Sequence, residues 1–234
     1  MSGEGQQFAW KAIEGEITPK GKGYLLLQEK TAEGLSGALA EGWRFLRQQG
    51  AREILVSGEG LTAETAEQLG LQKKHELLWM MRPLRRIPPA EKGYSLKKMK
   101  KGEERAFLAL YNECFFAVPN SATYTEEDGV RLGGKDFRAG FLVRGGEIMG
   151  IYELKLEKTP EICSVGIAEA KRGRGAGKAL MLLCLRTLQE KGYQACRLLV
   201  SSANQCAQAL SRKLGFTECG VQSVGSERKD GGKP

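Results

Sequence analysis

The sequence predicts an α/β (α+β) chain in two parts, a smaller one followed by a larger one, and three observations carry that prediction. Short apolar runs, such as Tyr24-Leu-Leu-Leu27, Ile54-Leu-Val-Ser57 and Arg197-Leu-Leu-Val-Ser201, alternate with longer stretches of helical apolar spacing. Residues 162–188 read without a break as a β-branched strand, a basic glycine loop and an amphipathic helix. The Pro-bearing segment Arg85-Arg-Ile-Pro-Pro-Ala-Glu-Lys-Gly93 interrupts the alternation and makes the best boundary. The expected division is therefore 1–85, a linker over 86–93, a main domain over 94–224 and a flexible polar tail over 225–234.

Taken in order, residues 8–29 read as strands, 35–49 as a helix and 51–57 as a strand. Thr62 is the expected N-cap of a further helix, with Glu64 in its first turn and Gly70 closing it. Residues 72–83 read as extended, with the apolar centre Leu77-Leu-Trp-Met-Met81. After the linker come a strand over 94–99 and a helix over 102–116 that turns Phe107, Leu108, Leu110, Tyr111 and Cys114 inward. A loop and polar helix follow over 119–132, then a hairpin whose turn is Gly145-Gly146. Past the central stretch lie a strand over 197–201, a helix over 203–214 ended by Gly215, and a final strand pair over 216–224.

A net charge of +8 and a pI near 9.2 favour anionic partners, while 41% hydrophobic and 27% charged residues are those of an ordinary globular chain. Aromatics make up 7% and none interleaves the basic clusters, which argues against a nucleic-acid stacking platform. No apolar run approaches the ~20 residues of a membrane span, and residues 1–7 lack the pattern of an export signal. Six cysteines without a Cys-x-x-Cys pair, and one histidine, His75, argue against a zinc site; the expectation is no metal and a reducing cytoplasm.

The chemistry gathers at Arg172-Gly-Arg-Gly-Ala-Gly177. Glycines there admit a ligand to the backbone, the helix behind points its positive end at the same spot, and Arg172, Arg174 and Lys178 add charge. The expected occupant is a phosphate or diphosphate. A nucleotide P-loop is excluded because Arg172 stands where its first glycine belongs and Ala179 where its hydroxyl belongs. A dinucleotide Gly-x-Gly-x-x-Gly is excluded because Lys178 or Leu180 occupies the third glycine position.

What remains, Arg-x-x-Gly-x-Gly, resembles the acyl-coenzyme A loop of the GNAT superfamily of N-acetyltransferases. Ile167 stands where a Val is usual and Glu169 where Pro is frequent. A second stretch is similar to the same family: Val200-x-x-x-Asn204-x-x-Ala207, then Ser211-Arg-Lys-Leu-Gly-Phe216. The resemblance, over roughly 94–224, implies a mixed, mostly antiparallel sheet flanked by helices and splayed beside the strand that precedes the loop. It implies acetyl-CoA as acyl donor, held by Val165, Ile167, Ala168, Arg172, Gly173, Arg174, Gly175, Ala176, Gly177, Lys178, Asn204, Ala207 and Ser211. It further implies acyl transfer to an amine of a small molecule or peptide, with room for a homodimer and no role for membrane or nucleic acid. The alternative is a catalytically idle coenzyme-binding module.

Transfer needs a neutral amine, so a base must take a proton from a group of pKa ~10.4. Glu161 and Glu153 are the first candidates, Tyr152 and Glu113 the next. A backbone N–H near Ile167 is the implied oxyanion donor. The family's usual Tyr acid is replaced by Ser211, which can hydrogen-bond a sulfur but is a poor acid. Cys163 and Ser164 lie beside the site, yet no histidine near them in sequence would activate either, so direct transfer is preferred.

The first part echoes the second. Leu46-Arg-Gln-Gln-Gly50, Ile54-Leu-Val-Ser57 and Leu69-Gly-Leu71 recur in order as Leu188-Gln-Glu-Lys-Gly192, Leu198-Leu-Val-Ser201 and Leu214-Gly-Phe216. Residues 1–85 therefore read either as a truncated GNAT-like repeat that binds no coenzyme, because Lys20-Gly-Lys-Gly23 precedes a strand rather than a helix, or as an ordinary αβαβ segment, which produces such echoes by itself.

Overall fold

Leu35, Leu39, Trp43 and Leu46 recur at helical spacing, and α1 (Leu35–Gln48) buries all four against strands. The strands beneath it are β2 (Ile13–Ile17), β3 (Lys22–Leu27) and β4 (Glu53–Ser57), which supply Ile13, Leu25, Leu27, Ile54 and Val56 to one core. The computed structural model describes residues 6–10, 13–18, 21–27, 35–58, 61, 63–118, 121 and 123–228. They form two units, the first being Met1–Leu78 with Ser201–Ala203 and Gly220–Pro234, the second Trp79–Val200 with Asn204–Cys219.

In the first unit β1 (Gln6–Trp10), β2 and β3 make an antiparallel meander, and β4 returns parallel to β3 through α1. Helix α2 (Ala63–Gln68) and the start of β5 (Leu71–Pro83) follow. The second unit takes the rest of β5, then β6 (Tyr94–Lys98), α3 (Glu104–Phe115), α4 (Glu126–Leu132), β7 (Phe137–Arg144), β8 (Glu147–Lys155) and β9 (Glu161–Ile167). It ends with α5 (Ala176–Glu190), β10 (Ala195–Ser201), α6 (Gln205–Lys213) and the start of β11 (Thr217–Arg228). Strands β6 to β9 pair antiparallel in sequence order, and β10 joins β9 in parallel. The β7–β8 turn holds Gly145 at φ +57° and Gly146 at +84°, the two positive values that a two-residue turn of this hand requires.

One face of the second unit's sheet packs under α3 and α4 through Phe107, Tyr111, Leu132, Phe141 and Ile151, with Phe107 edge-on to Phe141 at 5.9 Å. Helix α5 buries Ala176, Ala179, Leu180, Met181, Leu182, Cys184, Leu185 and Leu188, while Leu183 and Thr187 are half-buried.

Three expectations change. The unit boundary falls inside β5, at Leu78 and Trp79, where the sequence reading places it at Arg85–Gly93. Residues 216–224 do not form a strand pair, because Thr217–Arg228 runs on as one strand with no turn inside it. Residues 225–228 are thus not tail: Ser226 is fully buried and pairs with Val56. The expected Thr62 cap, Pro119, Lys20 and residues 1–5 and 229–234 lie outside the described residues.

Candidate active site

Strand β9 has two edges with different fates. Toward β8 it is laddered, and the N–H of Ala168 continues the ladder to the Met149 carbonyl at 3.0 Å. By the two-residue alternation of such a ladder, the N–H groups of Val165 and Ile167 point the other way, toward β10. There the pairing stops early: Arg197 with Glu161 and Leu198 with Ile162 are the pairs among the described residues. A register shift between Glu153 and Leu154 leaves Cys163 as an extra residue, and a bulge of this kind bends a strand away from its neighbour. From Cys163 on, the β10-facing edge of β9 is open.

The chain leaves that edge through a 3-10 turn (Glu169–Lys171), then Gly173 at φ +78° and Gly175 at +76°, and enters α5 at the buried Ala176. Among the described residues, no acceptor takes the N–H groups of residues 173–178; Ala179 is the first to find one, the Gly175 carbonyl at 3.0 Å. Six consecutive free donors at the head of a 15-residue helix form an anion cradle. Arg174 and Lys178 are exposed beside it. Glu91 flanks the loop, its carboxylate oxygen 3.6 Å from where a Gly175 side chain would begin, and is held by Arg144 at 3.2 Å.

Several residues expected at the coenzyme do other work. Ala168 has spent its N–H on Met149. Arg172 turns its guanidinium from the loop mouth to two carbonyls, Ile167 at 3.1 Å and Cys114 at 3.0 Å. Asn204 caps α6, its side-chain oxygen accepting from the Ala207 N–H at 3.1 Å. Ser211 is buried on the inner side of α6.

Of the base candidates, Glu153 is 1% exposed and enclosed. One oxygen accepts from Arg131 at 2.9 Å; the other accepts from the Tyr124 hydroxyl at 2.7 Å and the Ser164 hydroxyl at 3.1 Å. Both oxygens being engaged, this carboxylate is a fixed anchor rather than an accessible base. Arg131 also meets Asp128 at 3.3 Å, and Asp128 accepts from the Thr125 N–H at 2.9 Å at the start of α4. Tyr111 stacks on Tyr124 with centroids 3.5 Å apart, and burial pushes its phenol up to about 12.

Glu161 lies at the paired end of β9, six strand residues or about 20 Å from Ile167. Burial raises its carboxyl pKa against the opposing charge of Arg197, which sits 3.2 Å away. Tyr152 is fully buried with its phenol pushed up by burial, and Glu113 accepts from the Glu169 N–H at 3.3 Å. Burial likewise raises the Cys163 thiol, so no thiolate nucleophile is prepared there. His75 sits in the first unit. Among the described residues, no group of three His, Cys, Asp or Glu could hold a metal ion.

Sequence reasoning missed Tyr124 and Arg131. The available signal was Thr125 followed by Asp128 and Arg131 at three-residue spacing, a cap whose arginine shares a helix face with it. Nothing in the spacing announces that this arginine reaches a carboxylate 22 residues away.

Residues 103–216 match the model of the acetyltransferase (GNAT) family. Among sequences, the chain is 28% identical to the mycothiol acetyltransferase of Catenulispora acidiphila, covering 89% of this chain and 79% of that one. It is 32% identical to those of Thermobispora bispora and Streptomyces bingchenggensis, over 66% and 76% of this chain, and spans only 58% and 63% of their lengths. Among solved structures it is similar to a GCN5-related N-acetyltransferase from Sphaerobacter thermophilus, with TM-score 0.61, 18% identity, and coverage of 92% and 76%. A tandem GNAT protein from the clavulanic acid biosynthesis pathway gives TM-score 0.56 at 15% identity, with coverage of 92% and 78%. These last two likenesses speak to fold.

Proposed function

Residues 103–216 belong to the acetyltransferase (GNAT) family, and on that premise we propose that the protein moves an acetyl group from acetyl-CoA directly to an amine of a small molecule. The observation that carries this reading is the row of unbonded N–H groups over 173–178, opening beside the unpaired edge of β9. A diphosphate fits such a cradle, and the residues that would hold the coenzyme are 173–178 with the N–H groups of Val165 and Ile167. When bound, acetyl-CoA supplies an activated thioester carbonyl. The chain's part is to hold that group, to offer an N–H near Ile167 to the developing oxyanion, and to exclude water. Glu153, locked by Arg131, Tyr124 and Ser164, keeps the α3–α4 face rigid on the acceptor side. Relatives named mycothiol acetyltransferase support an acceptor that is a small molecule rather than a protein. Six free thiols, three of them buried, suit a reducing cytoplasm.

Ser211 favours a second reading, an idle coenzyme-binding module, because a buried serine is a poor acid for a departing thiolate. One experiment separates the two. Acetyl-CoA raises Tm under both, whereas release of free thiol in the presence of a panel of thiol-free primary amines occurs only under the first. Absence of any acetyl-CoA effect on Tm overturns both.

The first unit carries the element order of the second, namely a three-stranded meander, a helix, a strand parallel to the third and a second helix. We read it as a repeat that binds no coenzyme.

A further inference from the structure

The loop's opening arginine turns its side chain away from the cradle. Its Nε donates to the Ile167 carbonyl at the end of β9, and an Nη donates to the Cys114 carbonyl in the last turn of α3, 58 residues earlier in the chain. Cys114 sits at the helix end where carbonyls lack intrahelical partners and the dipole favours a cation. Two further contacts fasten the same turn. The Glu113 carboxylate accepts from the Glu169 N–H at 3.3 Å. Gly166 leaves room for the turn to lie on the β9 backbone, since a side chain there would begin 2.7 Å from the Cys114 Cβ.

The fastened turn leads into the packing of α3 against the segment before α4. Tyr111, one turn earlier, stacks on both Phe115 at 4.6 Å and Tyr124 at 3.5 Å, and Tyr124 donates to Glu153. Resting on the acetyltransferase reading above, we infer that Arg172 is a positioning residue. It clamps the end of α3 to the base of the coenzyme loop, and through Tyr111 and Tyr124 it keeps the acceptor side in register with the donor side; it is not a phosphate ligand. A planar fork suits two carbonyls at an angle, and a lysine ammonium does not replace it.

The test uses the full chain with Arg172→Gln and Arg172→Lys, coenzyme A as the probe, and two readouts. Titration calorimetry across a salt series reports the phosphate contacts; hydrogen exchange of peptides covering residues 108–118 reports the clamp. The expected result is coenzyme affinity within about threefold of wild type with an unchanged salt slope, since no charge-assisted phosphate bond is lost. Exchange over 108–118 rises in both variants, and lysine gives no rescue. A loss of more than about tenfold with a shallower salt slope, or rescue of affinity by lysine, would show a phosphate ligand and overturn the inference. Unchanged exchange over 108–118 overturns it as well. If wild type binds no coenzyme A, the acetyltransferase reading fails, while the exchange readout still decides the clamp.

Discussion

Strand pairs β3–β4 and β9–β10 are both parallel and both bridged by a helix, yet one is closed and the other opens. In the first unit five consecutive pairs, from Lys22 with Glu53 to Leu26 with Ser57, zip the strands along the whole length of β4. An ion pair between Lys22 and Glu53 at 3.1 Å crosses the start of that ladder. In the second unit the ladder ends after Ile162, next to the extra residue Cys163. The helix that follows β9 starts from a loop with two left-handed glycines, whereas residues 28–34, between β3 and α1, hold a single glycine and no arginine. The same order of elements thus leaves β4 fully paired and the far part of β9 unpaired beside its bulge. A fold class alone does not make a site.

The most severe way to break this contrast is Gly175→Glu. The residue at 175 takes φ +76°, which strains any L side chain, and a carboxylate there would stand in the cradle near Glu91. In wild type, acetyl-CoA at about a hundred times its Kd adds about 2.7 kcal/mol, read as a rise in Tm. In the variant the rise disappears. A retained rise would show that the free amides of 173–178 are not where the coenzyme binds.

A second substitution sharpens the contrast from the closed side. Leu46 of α1 is fully buried in the first unit's core, and Leu46→Ala lowers stability by about 2–5 kcal/mol through lost burial and the cavity left behind. The increment added by acetyl-CoA stays the same size, because residues 173–178 belong to the second unit and Leu46 to the core of the first. Thermal melts with and without coenzyme check both halves of the statement, and a shrunken increment would assign the first unit a part in coenzyme binding.

The contrast also marks what a sequence discloses. The strand, glycine loop and helix start were legible because they are local: glycines, basic residues and a helix start follow one another between Arg172 and Lys178. The echo of the two halves was legible for the same reason, as an order of elements. The open edge of β9 was not, since Cys163 reads as an ordinary strand residue until its register against β8 is known. Nor was the burial of Glu153, whose three partners come from α4, β9 and the segment before α4. Arg172 shows the limit most sharply: its place in the motif suggested phosphate, and only the proximity of the α3 end reveals two carbonyls as its partners. The division at Leu78 was hidden too, because the linker's prolines punctuate the chain one strand too late.

The smallest expected effect separates the units by pH. In the second unit burial lifts the Cys196 thiol and the Tyr111 phenol to about 12 each, so the folded state keeps protons that the unfolded chain releases. That stability is complete below the ordinary values of these groups and is lost as pH climbs toward 12. For the fully buried Cys196 the loss is about 1.4 kcal/mol for each pH unit above the ordinary thiol value of ~8.5. In the first unit the shift runs the other way. Burial lowers His75, against the attraction of Glu53 and with the repulsion of Lys22, and its ring lies against Gly225 with Nε2 buried. The folded state resists a proton that the unfolded chain accepts, so stability falls as pH drops below about 6.5. Melting temperatures over pH 5–11 should therefore decline at both ends. Cys196→Ala makes only the alkaline limb shallower and His75→Gln only the acid one; an acid limb unmoved by His75→Gln would show that the buried imidazole does not set the first unit's response to acid.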